Sequence, residues 1–347
     1  MSNLRRKLAI GFALGFAVVI GLILYGDIRE IGRLLQSFRW SLIPAILGLT
    51  MVNYILRSVR FYYYLHQIGI KQISFWPSFL VFMGGFALTV TPAKVGELIR
   101  VFWLKNLVGA DPARTAPSTI VDRIVDGLAM AILASLGALV YPRYRPVVAL
   151  LLGIIIGGVI ISQIRPLAFW LLNAGEKIPF VSKFVHHLHA LYESTYELLR
   201  FKNLLVGTAI GFVSWSAEGI ACYLILIGLG VPPAFDLMLI SIFILSLGSI
   251  LGGISSLPGG LGAAEATMTG MLQVLINLSE DVAATATLLI RFFTLWFAVG
   301  LGILIIAIWR KKLFGRGIEE LDLSSVALGT NSGEETNRAE LKSHEAG

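Results

Sequence analysis

The chain has 347 residues, of which 56% are hydrophobic and only 14% charged, where a soluble domain carries roughly a quarter charged residues. With a mean hydropathy of +0.80, the composition excludes an ordinary soluble domain and points to a protein built into a membrane. The net charge of +7 is not interleaved with aromatics on a polar surface, which excludes nucleic acid as a partner and favours anionic lipid head groups.

Apolar stretches long enough to cross a bilayer as helix, about 20 residues, fall at 8–25, 41–65, 117–140, 147–164, 203–229 and 282–309. The first follows a basic start (Arg5, Arg6, Lys7), but it is long for a signal peptide and no good A-x-A site follows, so it reads as a retained span. The segment DIREIGRLLQSF (27–38) is amphipathic. Two further apolar regions, 75–107 and 235–277, are too long for one helix and too interrupted for two ordinary ones. Residues 180–200 repeat apolar positions at helical spacing and read as an interfacial helix. His186, His187 and His189 on it read as its polar face, since their spacing is not that of a helical ligand set. No metal and no cofactor are expected. The lone Cys222 cannot form an internal disulfide. The stretch 317–347 holds seven acids against two bases and reads as a disordered acidic tail behind a transmembrane domain of residues 1–316.

Basic residues near span ends set the orientation. With the N-terminus in the cytoplasm, sixteen bases, Arg100 among them, fall on the cytoplasmic side and five (Arg29, Arg33, Arg39, Arg143, Arg145) outside. Both termini are therefore expected in the cytoplasm of a multi-pass cell-membrane protein.

The chain carries an internal repeat. In TVTPAKVGELIR (89–100) and SSLPGGLGAAEATM (255–268), Pro92 matches Pro258 and Gly96 matches Gly262 at an offset of 166. Downstream, Arg123 matches Arg291 at an offset of 168, and Glu97 falls with Glu265. Repeat A covers about 41–140 and repeat B about 203–309, with span 147–164 between them. Because that odd span separates the copies, they are inverted in the bilayer. The expected fold is thus an all-α polytopic membrane protein with inverted structural repeats and two re-entrant helical hairpins. Transporters of that design bind substrate at the repeat interface. Non-helical backbone at depth must face protein or a water-filled cavity. Pro258, Gly259, Gly260 and Gly262 read as such a turn, and the helix-end amides it frees read as anion ligands.

Charges at membrane depth are costly and mark function. Arg57 and Arg60 lie three apart in span 41–65, with snorkelling to the nearby cytoplasmic end as the structural alternative. Lys94, Glu97 and Arg100 follow the first broken loop. Asp122, Arg123 and Asp126 open span 117–140, and Glu218, Glu265 and Arg291 supply the second copy. Glu265–Arg291 and Glu97–Arg123 are expected pairs. Arginine suits a phosphate head group because its fork meets two oxygens. The candidate substrate-binding set is Arg57, Arg60, Lys94, Glu97, Asp122, Arg123, Asp126, Glu218, Pro258, Gly259, Gly260, Gly262, Glu265 and Arg291. No catalytic residue is assigned: there is no HExxH, G-x-S-x-G or Walker motif.

The stretches NYILRSVRFYYYL, TPAKVGELIR, DRIVDGLAM and SLPGGLGAAEATM resemble the lysylphosphatidylglycerol synthase transmembrane region family, over about residues 1–315. Pro92, Gly96, Glu97, Arg123 and Asp126 resemble its first node; Pro258, Gly259, Gly260, Gly262 and Glu265 resemble its second. The resemblance implies lipid flipping or binding. In bifunctional members a soluble domain makes the aminoacylated lipid, and the 31 residues after Arg316 are too few for it, so aminoacyl transfer is not expected. The reading is a flippase moving an anionic or amphipathic lipid, phospholipid or polyprenyl-phosphate-linked, through a polar cleft. The alternatives are a membrane enzyme on a phosphate-bearing lipid and a lipid-binding scaffold. Partners are membrane lipids, with a second copy or a lipid-modifying enzyme left open.

Overall fold

The computed structural model describes residues 2–91, 96–165 and 185–314, and the regular structure there is all helical. In chain order the helices are α1 (Ser2–Tyr25), α2 (Ile28–Ser37), α3 (Ile43–Gln67), α4 (Phe75–Gly85), α5 (Ile99–Val108), α6 (Pro112–Val140) and α7 (Arg145–Gln163). There follow α8 (Val185–Leu198), α9 (Phe201–Gly228), α10 (Phe235–Ile254), α11 (Ala263–Ile276), α12 (Glu280–Arg291) and α13 (Phe297–Phe314). A π-helical turn, Phe292–Trp296, joins the last two.

Each span expected from the sequence has its helix. Among the described residues, five stretches are long and apolar enough to cross a membrane: Trp40–Gln67, Pro142–Gln163, Phe201–Gly228, Phe235–Ile254 and Glu280–Phe314. The chain is a multi-pass, all-α membrane protein. Helix α6 is also long, at 29 residues, but carries Asp122, Arg123 and Asp126 and sits inside the bundle against α5, α7, α8, α9 and α10.

The second broken region breaks where the sequence placed its turn, at 258–262. It opens with an unbroken helix, α10, of 20 residues, about 30 Å at 1.5 Å per residue. Two of its glycines allow close packing: a Cβ on Gly248 would lie 2.7 Å from Met268 Cγ, and one on Gly252 would lie 2.9 Å from Ala264 Cβ. The first broken region is shorter in both arms, 11 residues in α4 and 10 in α5.

Local chemistry sets the helix ends. Asp111 caps α6, its side chain accepting from the Ala113 N–H at 2.9 Å, and Pro112 follows at the first position, where a missing N–H is harmless. Asp27 caps α2 and donates its own N–H to Asp281 Oδ1 at 2.7 Å, tying the end of α1 to the start of α12. Helix α11 stops at Asn277 in the left-handed region, φ 56°.

Two large apolar clusters make up most of the core. One joins α3, α4, α5 and α6 with Ala298, Ile305 and Leu313 of α13. The other joins α9, α10, α11 and α12 with Ala134 and Ala138 of α6. Helices α3 and α9 pack on each other, α10 packs on α6, and α4 with the 3-10 turn Phe86–Leu88 packs on α13. Helix α8 docks on α6 and buries Ser194 and Leu198. Residues 180–184 of the expected interfacial helix, and the tail from 315 on, lie outside the described residues.

The α13 seam is tight. A Cβ on Gly302 would lie 2.3 Å from the Ala87 amide nitrogen, and backbone cannot move aside as a side chain can. Gly302→Ala is expected to destabilise the protein by about 1–3 kcal/mol. Gly153→Ala in α7, with nothing within 4 Å of its added methyl, should leave the melting temperature in detergent unchanged.

Candidate functional site

The site is assembled from two turns and a helix pair. In the first turn the Thr91 hydroxyl donates to the Leu88 carbonyl at 2.8 Å and accepts the Gly96 N–H at 2.7 Å. A Cβ on Gly96 would sit 2.7 Å from that same Thr91 oxygen and 2.8 Å from Leu88 O, so the turn closes only with glycine. Glu97 follows, fully buried. Its Oε1 accepts from the Thr89 hydroxyl at 2.9 Å, and its Oε2 meets Arg123 of α6 and, at 3.3 Å, Arg100 of α5. Pro92 and Lys94 lie outside the described residues.

Helices α3 and α6 face each other through a charge cluster. Arg57 and Arg60 are three apart on α3, and Asp122 and Asp126 are four apart on α6, so each pair presents one face. Arg60 donates to Asp122 Oδ1 at 2.9 Å and to Asp126 Oδ1 at 2.6 Å; Arg57 donates to Asp126 Oδ2 at 2.7 Å. Trp215 of α9 adds its indole N–H to Asp126 at 3.0 Å and stacks its ring 5.3 Å from the Arg57 guanidinium. All four charged residues are buried. This corrects the snorkelling alternative: the arginines turn inward because two carboxylates on a neighbouring helix stand at matching depth.

The second turn is built on positive-φ backbone. Gly259, Gly260 and Gly262 have φ of 63°, 69° and 88°, the left-handed region that a side chain would strain. Pro258 starts the turn and is buried. Glu265 Oε2 accepts the Gly262 N–H at 2.6 Å, and its Oε1 accepts from Arg291 Nε at 2.5 Å. Arg291 also donates to the Gly259 carbonyl at 2.9 Å. The sequence reading expected a free helix-end amide for a ligand anion at this turn. Instead the chain's own carboxylate, at the third position of α11, caps that amide. Immediately after Arg291 the helix widens into the π turn, and Tyr54 of α3 donates to the Thr294 carbonyl inside it at 2.5 Å.

Between the two turns lies a cavity of about 670 Å³. Its wall includes Arg57, Glu97, Arg123, Asp126, Glu218, Gly259, Gly260 and Arg291. Arg60 and Asp122 stand behind that wall; Pro258, Gly262 and Glu265 shape the second turn without lining the cavity. Apolar side chains of α7 and α10, among them Ile154, Ile155 and Ile250, complete it, and Thr195 and Leu199 lie at its rim. An amphipathic molecule fits such a lining: several fixed charges over a mostly apolar wall.

Three further wall residues were not singled out from sequence. Tyr54 and Trp215 lie three residues before Arg57 and Glu218, on the same helical faces, and that spacing was the available signal. Thr294 carries no such signal, because its place depends on the π turn. Arg100 was counted as a cytoplasmic loop base; it is fully buried over the Phe82 ring at 4.3 Å. Counting charge along the chain cannot see depth. Without it the basic bias still stands at fifteen to five.

The sequence model of the family described as "Lysylphosphatidylglycerol synthase TM region" matches residues 9–302, a range that includes both turns. A UPF0104 membrane protein of Methanothermobacter thermautotrophicus is 24% identical over 324 residues, covering 87% of this chain and 94% of that protein. A second UPF0104 membrane protein of the same organism is 29% identical over 279 residues, 73% of this chain and 79% of its own length. A third, from Methanocaldococcus jannaschii, is 23% identical over 228 residues, 66% and 96% respectively. These relatives align with most of the fold rather than with one motif.

The buried cluster yields a stability prediction. Asp126→Ala leaves Arg57 and Arg60 short of a shared carboxylate and is expected to cost about 3–5 kcal/mol, read as a fall in melting temperature. Glu193→Ala, whose pairing with Arg165 is half exposed, should cost about 1 kcal/mol or less.

Proposed function

The chain belongs to the lysylphosphatidylglycerol synthase TM-region family, and on that premise we propose that it moves an anionic or amphipathic phosphate-bearing lipid between leaflets. Family membership and the polytopic helical fold support a flippase-like transport function in general terms. The observation that carries the finer reading is the 670 Å³ cavity walled by charged residues from both turns. The head group passes through this polar cleft while the acyl chains stay against apolar helix faces. The proposed substrate contacts are Arg57, Glu97, Arg123, Asp126 and Glu218; Arg60, Asp122 and the closed Glu265–Arg291 pair hold the wall in shape.

Inverted repeats are part of the proposal. In each copy the glutamate and its arginine are 26 residues apart. The first arm of each broken region packs on the final span of the other copy, α4 on α13 and α10 on α6, as a two-fold axis in the membrane plane would require. Helices α4 and α5 are about 15–17 Å long, short of the roughly 30 Å hydrocarbon core, which supports a first hairpin entering and leaving by the cytoplasmic face. Helix α11, at 14 residues, falls short by the same measure, and the second hairpin is proposed to enter from outside.

Reconstitution into proteoliposomes with a fluorescent anionic phospholipid tests the transport reading. Arg123→Gln and Arg291→Gln should each abolish movement between leaflets, and Arg310→Ala, exposed at the end of α13, should not. The swap Glu265→Arg with Arg291→Glu should restore folding without movement. Phosphate released from the lipid would reassign the protein to the enzyme class, and binding without movement would make it a scaffold.

Orientation has its own test. Single cysteines at Asn3, Arg143 and Gly317 in a Cys222→Ser background should label from the cytoplasm, the outside and the cytoplasm in turn. Exterior labelling at 3 or 317 would invert the topology.

A further inference from the structure

The two turns differ in charge. At the second, one arginine meets one carboxylate: Arg291 with Glu265. At the first, Glu97 meets two arginines, Arg123 and Arg100. Taken with the helix pair it adjoins, the first site holds four arginines (Arg57, Arg60, Arg100, Arg123) against three carboxylates (Glu97, Asp122, Asp126) among the described residues. One positive charge is in excess at membrane depth, where it is expensive.

Arg100 is the odd member. Its side chain is fully buried, its ion pair to Glu97 is 3.3 Å, and none of its three nitrogens makes a hydrogen bond among the described residues. Aromatic rings hold it instead, Phe82 at 4.3 Å and Phe61 and Phe86 at 5.7 Å. A guanidinium buried without acceptors is a cost that cation–π contact offsets only in part. At the 168-residue offset that relates Glu97 to Glu265 and Arg123 to Arg291, position 268 is a methionine, so the excess belongs to the first turn alone. Arg123, in contrast, is 29% exposed in its side chain and lines the cavity.

Resting on the transport reading above, we infer that the first turn is the seat of the lipid's phosphate-bearing anionic head group. Arg123 is its direct ligand, and Arg100 is a positioning residue that keeps Glu97 neutralised when Arg123 turns to the anion. Before binding, Glu97 pairs with Arg123 and stands close to Arg100. After it, Arg123 forks onto two phosphate oxygens and Glu97 keeps Arg100. No carboxylate is stranded at either stage, and a monoanion offsets the excess charge of these ion-paired residues. The second turn has no such reserve: Arg291 leaving Glu265 would strand a buried carboxylate, so that pair stays closed while the lipid binds.

The test uses the full chain in detergent, titrated with dioctanoyl phosphatidylglycerol, dioctanoyl phosphatidylcholine and inorganic phosphate. The wild-type protein should prefer phosphatidylglycerol over phosphatidylcholine, and Arg123→Gln should erase that preference. Arg291→Gln should keep it, although it blocks movement. Arg100→Met should weaken phosphatidylglycerol binding roughly tenfold, leave phosphatidylcholine unaffected, and raise the melting temperature of the lipid-free protein by removing an unpaired charge. Arg100→Lys should recover part of the affinity. A fall in melting temperature or failure to fold in Arg100→Met would make Arg100 structural and overturn its assigned role, as would unchanged binding. Equal loss in Arg291→Gln and Arg123→Gln would overturn the asymmetry while the cavity reading stands. Inorganic phosphate binding as tightly as the lipid would reassign the site to a soluble anion. If every variant binds and moves lipid as the wild type does, the cavity reading itself falls.

Discussion

A charge in hydrocarbon is tolerated only with a partner at the same depth, and the placement of α3, α4, α5 and α6 follows from that rule. Arg57 and Arg60 fix how α3 rotates against α6, because only one face of each helix brings both arginines to Asp122 and Asp126. With that rotation set, Arg123, three residues before Asp126 on α6, reaches both Asp126 and Glu97. Trp215 extends the same network to α9. The two large apolar clusters then fill the space on either side of a polar seam they did not position.

Much of this was legible in the chain from two motifs of matching spacing. The two glutamate–arginine pairs could be matched from their equal separations, and the positive-φ glycines of the second turn from a cluster of breakers in an apolar run. The span positions came through from apolar length alone. What stayed hidden depended on neighbours distant in sequence. Nothing local says that Arg57 and Arg60 find carboxylates on α6 rather than water at the membrane surface. Arg100 sits five residues before Lys105, a cytoplasmic base it resembles, and is buried because Phe61, Phe82 and Phe86 close around it. The Glu265 cap was a different kind of miss: its three-residue spacing from Gly262 is that of a helix-start carboxylate, and attention to an incoming anion obscured the resident one.

The two turns solve one geometric problem with different chemistry. Both must bend a chain sharply where water is scarce and satisfy the backbone groups they expose. The first does it with hydroxyls, Thr91 taking the Gly96 amide and Thr89 bracing Glu97. The second does it with bare backbone and charge, three positive-φ glycines, Glu265 on an amide and Arg291 on a carbonyl. Hydroxyl bracing leaves the Glu97 carboxylate available to more than one cation, whereas the second turn has its arginine committed at both ends.

The π turn after Arg291 makes the length of the last helix as important as its composition. A π turn holds one residue more than the α-helix around it, and each residue of an α-helix advances the face by about 100°. Arg291 before the turn meets Glu265, and Gly302 beyond it meets the α4 seam; the two faces are in register only because that extra residue lies between them. Tyr54 holds the widened turn open from α3. The stretch 292–296 is therefore a phase shifter. Loss of a single residue there would turn Gly302 away from Ala87 and unzip the seam, so the segment is constrained in length as well as in its buried side chains, Phe293, Thr294 and Leu295.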